Sequence, residues 1–185
     1  MKHPLTLDEL NACPPAAFGT ALADIWEHAP WVPERAAAQR PFASIAALHR
    51  AMVDVVAALD EPARVAFYAG HPELAGADAR RGTMTEASVA EQGTLALAHL
   101  AEGEAERWDA LNQAYRTRFG FPFILCIRRH TRESALQAFA QRLQHDRATE
   151  LAAALDEISA ITRLRLEQRI APTSPTASPT TTSPS

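Results

Sequence analysis

His71 stands between Gly70 and Pro72 in the run Tyr68 to Gly76. An imidazole with an ordinary pKa of about 6.5 gives and takes protons at neutral pH, so the chemistry it offers is general acid–base catalysis. Its neighbours give it a fixed place. Glu61 to Ala69 reads as a helix with Pro62 in its first turn and Gly70 as its stop. Pro72 biases His71 away from the α region and can open a new short turn with His71 as N-cap. Taken alone, the same residues also describe a surface or capping histidine.

Two further runs carry groups that could serve such a proton donor. In Ser88-Val89-Ala90-Glu91-Gln92 the polar members share a helix face with His99, while Val89, Gly93, Ala96, Leu97 and Leu100 form the other face. Glu91 could accept a substrate hydroxyl or orient the His71 imidazole, and Gln92 offers one donor and one acceptor group. A polar helix face is ordinarily solvated, so periodicity alone does not make this a site. Phe121 to Ile127 is an apolar run broken by Pro122, followed by Arg128 and Arg129. A guanidinium fork at Arg128 suits a planar carboxylate, with Arg129 as its close competitor. Arg163 to Arg165 forms a second basic cluster able to meet a small anion.

The elements that position these groups are helices. Alanine-rich, glycine-poor composition with few β-branched runs favours them. Thr6 and Glu9 make a capping-box pattern before a first short helix. Phe18, Leu22, Ile25 and Trp26 fall on one helical stripe; Pro30, Pro33 and Pro41 then define an irregular segment carrying Trp31 and Phe42. Ile45 to about Leu59 forms the next apolar face. Thr85 caps a helix running to Leu100, another spans about 104 to 118 with Trp108, Leu111 and Tyr115 inward, and Gly120 stops it. A helix from Thr131 places Leu136, Phe139, Ala140 and Leu143 inward, and Asp146 caps a long last helix with Leu151, Leu155, Ile158 and Ile161. Residues 121–127 read as a buried extended connector, because a lone strand would have no ladder partner. The expectation is one all-α domain, a multi-helix bundle over 1–170. A disordered tail follows at 171–185, which contains only Ala, Pro, Ser and Thr.

His71-Pro72-Glu73-Leu74-Ala75, Ser88 to Gln92 and Phe119 to Arg128 occur in this order, preceded by Ala29-Pro30-Trp31-Val32 and Arg40-Pro41-Phe42. Together they resemble the 2-oxo-4-hydroxy-4-carboxy-5-ureidoimidazoline (OHCU) decarboxylases, over about 7–170. The resemblance implies loss of carbon dioxide from a small anionic ureidoimidazoline to give (S)-allantoin in urate breakdown, without cofactor or metal. It makes His71 the catalytic proton donor, with Glu91 beside it. It implies substrate contacts from Pro72, Ser88, Val89, Ala90, Glu91, Gln92, Phe123, Ile124, Leu125, Cys126 and Ile127, to which the anion argument adds Arg128. It also implies a homodimer, for which the residues themselves give no surface argument.

Composition narrows the alternatives. A net charge of −4 gives no reason to expect nucleic acid and leaves a helix-turn-helix DNA binder without a basic recognition helix. No apolar run approaches the roughly 20 residues of a membrane span, and the N-terminus lacks an apolar signal core. The two cysteines, Cys13 and Cys126, read as reduced thiols, and the expected compartment is the cytoplasm. His71-Pro72-Glu73 matches half of a zinc-deaminase signature, but the Pro-Cys-x-x-Cys half is absent. A non-catalytic binding module of the same fold is the remaining alternative. The three tryptophans read as core, and His3, His28, His49, His130 and His145 as surface or capping residues.

Overall fold

A computed structural model of the chain describes residues 5–76, 84–93, 95, 100 and 102–171. Expectations resting on the loop at 77–83, on Ala96, Leu97, His99 and His3, on the side chain of Gln92 and on the tail beyond Ala171 lie outside the described residues. Nine α-helices occur among those described: α1 (Leu7–Ala12), α2 (Pro15–Ala21), α3 (Trp31–Ala36), α4 (Ile45–Ala57), α5 (Glu61–Ala69), α6 (Glu86–Gly93), α7 (Glu102–Phe119), α8 (Arg132–Arg142) and α9 (Arg147–Arg169). Single 3-10 turns sit at Ala37–Gln39 and Ile127–Arg129. There is no strand among these residues, only one isolated bridge between Leu5 and Ile170 that brings the two ends together. No described helix is long and apolar enough to cross a membrane.

Helix starts follow the expected chemistry. Thr6 and Glu9 cap α1 reciprocally, Asp60 accepts from the Ala63 N–H, Thr131 from Ser134 and Asp146 from Thr149. Three expectations are corrected. The stripe Phe18, Leu22, Ile25 and Trp26 is buried throughout, but α2 ends at Ala21 and 22–28 proceeds in turns. The proline-rich segment is not irregular at 31–36: Pro30 is the N-cap of α3 and Pro33 lies in its first turn, where a missing N–H costs nothing. In α8, Ala140 is exposed, and the inward positions are Ala135, Phe139 and the charged Arg142.

The core has one part built on α2, α3, α4 and α9 and an aromatic half around Tyr115. α4 packs on α3 and on α9, and α2 closes on α3 where Gly19 leaves no room for a Cβ beside Glu34, 2.8 Å away. In the aromatic half the Tyr115 ring meets Phe119, Phe121, Phe123 and Phe139, and Phe123 stacks on Phe139 at 3.9 Å. Trp26 and Trp108 are buried core residues as expected. Residues 121–127 are buried and outside any α-helix or strand until Ile127 enters its 3-10 turn, as the connector expectation required.

The aromatic half encloses charge. The Glu150 carboxylate, fully out of solvent, accepts from the Tyr115 hydroxyl, from Arg142 Nε at 2.9 Å and from His145 Nδ1 at 2.8 Å. A buried carboxylate needs such a full set of donors to offset lost hydration. Tyr115→Phe removes one donor while keeping the ring. It should cost roughly 2 kcal/mol, read as a melting temperature lower by about 4–8 °C. An unchanged melting temperature would show that Arg142 and His145 alone satisfy Glu150.

Candidate functional site

The end of α5, α6, the connector, α9 and the turns at 22–28 close around one cleft. His71 and Pro72 enter from the end of α5, Ser88 and Glu91 from α6, Phe123 to Arg128 from the connector, and Ile158, Ile161, Thr162 and Arg165 from α9. Glu27 enters from the turns.

His71 does not cap a new turn. Its N–H donates to the Tyr68 carbonyl at 3.0 Å, so it continues the end of α5, and Pro72 then carries the chain away. The following turn is held to α7, where Asn112 donates to the Leu74 carbonyl at 2.9 Å and Arg116 reaches Glu73 at 2.6 Å. The imidazole stands edge-on to Phe67 at 5.1 Å, and Phe67 is itself wedged against Trp31 and Trp26. Nδ1 is buried with no hydrogen-bond partner among the described residues. Burial pushes the ring's pKa down to about 4. Glu27 and the Phe67 and Tyr68 carbonyls at the helix end work against that shift, and Arg165 adds to it. The ring is therefore neutral at neutral pH.

Opposite His71 lies a charge cluster that sequence reasoning only partly foresaw. Arg165 makes a two-pronged contact with Glu91, Nε to Oε1 and Nη2 to Oε2, both 2.8 Å. Its third nitrogen, Nη1, reaches Glu27 Oε2 at 3.1 Å. Glu27 also accepts from the hydroxyls of Thr85 at 2.8 Å and Ser88 at 3.2 Å. Burial alone would raise the Glu27 pKa. The Thr85 hydroxyl and the Arg165 guanidinium outweigh it, so the carboxyl is held below its usual range and stays ionised. The two carboxylates likewise raise the pKa of Arg165 against its own burial.

The polar face of α6 is thus the buried one. Ser88 is buried and Glu91 half-buried, whereas Val89, expected on the apolar side, is 44% exposed. Neither Val89 nor Ala90 lines the cleft, and Ala90 is exposed. Of the basic pair, Arg128 lines the cleft and is exposed at its edge, while Arg129 does not line it. Cys126 is buried, its thiol pKa raised by burial. In the connector, the Phe123 and Leu125 peptide groups have no hydrogen-bond partner among the described residues.

Glu27 and Arg165 are the residues that sequence reasoning missed. Arg165 belongs to the basic cluster noted above. Its spacing from Ile158, Ile161 and Thr162 is that of one helix face, which could have placed it at the cleft. Glu27 gave no such signal, because only the turns after α2 bring it inward. His49 is also corrected. It is buried rather than superficial, with Nε2 3.1 Å from the Thr162 hydroxyl. His145 is tied to Glu150, while His28 is exposed and His130 lies beside Ser134 as a capping residue. No group of three or more His, Cys, Asp or Glu side chains among the described residues could hold a metal ion.

Comparison with known proteins bears on the same region. Residues 11–167 match the OHCU decarboxylase family. The chain is 37% identical over 167 residues to the 2-oxo-4-hydroxy-4-carboxy-5-ureidoimidazoline decarboxylase of Haloferax volcanii, covering 90% of this chain and 97% of that one. It is 40% identical over 161 residues to the uric acid degradation bifunctional protein of Bacillus subtilis, covering 87% of this chain but 32% of that protein. Among solved structures it is similar to (S)-allantoin synthase, with a TM-score of 0.71 and 28% identity over 90% of this chain and 54% of that chain.

The low pKa of His71 has a stability consequence. Above about pH 6.5 the ring is neutral in both folded and unfolded chains. As pH falls from there to about 4, the unfolded chain binds a proton that the folded site refuses, and stability drops. Urea unfolding should therefore show the wild type losing more stability than His71→Asn between pH 7 and 4.5. Equal losses would mean that the ring is hydrated in the folded protein.

Proposed function

The chain belongs to the OHCU decarboxylase family, and from that premise we propose that it converts 2-oxo-4-hydroxy-4-carboxy-5-ureidoimidazoline to (S)-allantoin and carbon dioxide in urate degradation. The observation that carries the reading is the convergence of His71, the Glu91–Arg165 pair and the connector backbone on one cleft.

The substrate supplies its own electron sink. When the bond to the carboxylate breaks, its electron pair moves into the adjacent C=N unit, and the ring nitrogen takes up a proton. The hydroxyl proton then leaves, its oxygen becomes a carbonyl, and a proton adds to the ureido-bearing carbon, which becomes the stereocentre. His71 suits the last exchange because its ring is neutral at neutral pH. It takes the hydroxyl proton and returns it to carbon from one side, so the donor role rests on a prior role as base. A pKa near 4 in the free enzyme predicts a rate, measured as kcat/KM, that is flat through neutral pH and falls only in acid.

Glu91, fixed in two directions by Arg165, is the acceptor for the substrate's ureido N–H. The unpartnered peptide groups of Phe123 and Leu125 are suited to the edge of a cyclic urea, which presents N–H and C=O side by side. Pro72 and Ser88 complete the wall, and Arg128 meets the carboxylate at the cleft's edge. Glu27 keeps Arg165 in place. The same reading has 1–170 acting as one domain, in the cytoplasm and as a homodimer, which light scattering tests.

The decisive assay generates fresh substrate from urate with the preceding enzymes and follows (S)-allantoin by circular dichroism. His71→Asn and Glu91→Gln should each lose roughly a hundredfold or more in turnover with helical content unchanged. A near-normal His71→Asn would sink the mechanism. Arg128→Ala should raise KM only severalfold, because an exposed charge pair contributes up to about 1 kcal/mol; Arg129→Ala should change little. Sensitivity at Arg129 instead would put the anion on the neighbouring guanidinium. Chelation should leave the rate unaltered. Because the Ala171 N–H donates to the Leu5 carbonyl at 2.8 Å, the tail is best cut after Ala171. That truncation should preserve both rate and melting temperature, and loss of either would give the tail a role in the fold or the site.

A further inference from the structure

We propose that Glu157 and Arg142 are positioning residues that peg the connector backbone in register with the cleft, a role that rests on the functional reading above. No strand neighbours the connector among the described residues, so side chains hold its peptide groups. Two bonds do so, on groups two residues apart. Arg142 Nη1 donates to the Ile124 carbonyl at 2.7 Å, and the Cys126 N–H donates to Glu157 Oε2 at 2.7 Å.

The two pegs are built differently. Arg142 is immobile, because Glu150 accepts from its Nε and Nη2 at 2.9 and 2.5 Å and its guanidinium lies 4.7 Å over the Phe123 ring. Its loss would strand a buried carboxylate and compromise the fold. Glu157 is half-buried on α9, one turn from Ile161 and two from Arg165. The helix that fixes Glu91 through Arg165 thus also fixes the connector through Glu157. Two walls of the cleft are referred to one rigid element, which sets the spacing between the acidic group and the backbone edge. Binding geometry of this kind is sensitive to shifts of roughly 0.5 Å. Glu157 enters the reaction only through Cys126, and nothing in the bond requires it to touch substrate.

Glu157 is also the peg that can be removed without opening the core. Glu157→Gln keeps an acceptor oxygen for the Cys126 N–H, whereas Glu157→Ala does not. Glu157→Ala should raise KM and the inhibition constant of (S)-allantoin about tenfold, the scale of one charge-assisted hydrogen bond. It should leave kcat nearly unchanged and lower the melting temperature by only about 2–4 °C, the scale of one part-buried hydrogen bond, and Glu157→Gln should recover most of the affinity. Amide hydrogen exchange at Cys126, measured without substrate, should quicken in Glu157→Ala and not in Glu157→Gln. Unchanged KM and exchange in Glu157→Ala would overturn the proposal. So would equal losses in both variants, which would make the charge rather than the peg the active feature. A fall confined to kcat would overturn it too, by placing Glu157 in the chemistry. If the exchange pattern held while the wild type failed to turn over substrate, the functional reading would fall and the peg would stand.

Discussion

Arg165 shared between Glu91 and Glu27 is the interaction on which the site depends. A guanidinium taken out of water costs several kcal/mol in lost hydration, and here two carboxylates together meet all three of its nitrogens. Glu27 is in turn satisfied by Thr85 and Ser88, so the hydroxyls at the start of α6 belong to the same set. Removing Arg165 would leave two carboxylates facing each other without their shared cation. This binding of α9, α6 and the turns at 22–28 into one charge set gives α6 its place, since its inward face offers Ser88 and Glu91 rather than a hydrophobic stripe.

The other side of the cleft works by the opposite principle. His71 is backed by Phe67, Trp31 and Trp26 and has no carboxylate bonded to its ring. Low polarity there keeps the imidazole neutral, while high charge opposite keeps Glu91 fixed. An uncharged imidazole and an anchored carboxylate thus coexist without forming the tight ion pair that would hold a proton on the ring. The connector between them lines the cleft from Phe123 to Arg128, and its Phe123 and Leu125 peptide groups have no hydrogen-bond partner among the described residues.

With no strand among the described residues to pair with it, such a backbone segment is held through buried side-chain charge. Arg142, Glu150, Tyr115 and His145 draw α7, α8 and α9 together behind the connector. The aromatic rings around Tyr115 supply the low-dielectric surroundings that make those bonds strong and their loss expensive. Stability and site geometry are consequently not separable in the aromatic half. Glu157, nearer the surface, is where they come apart.

Local sequence decided the helices whose boundaries are written in capping residues and prolines. Thr6 with Glu9, Asp60 with Pro62, Thr131 and Asp146 each act within one turn of chain, so their effect does not depend on the rest of the fold. The connector was legible for the same kind of reason, an apolar run with a proline and no partner strand. Motif resemblance, rather than periodicity, marked His71 and Glu91. Tertiary structure alone decided which face of α6 turns inward, because a polar stripe reads as solvated until a guanidinium from α9, 74 residues away in sequence, is placed against it. The same holds for Glu27, Arg142 and His49, each polar and each buried. Their burial is favourable only with partners up to 138 residues distant, and no local pattern records where those partners will be.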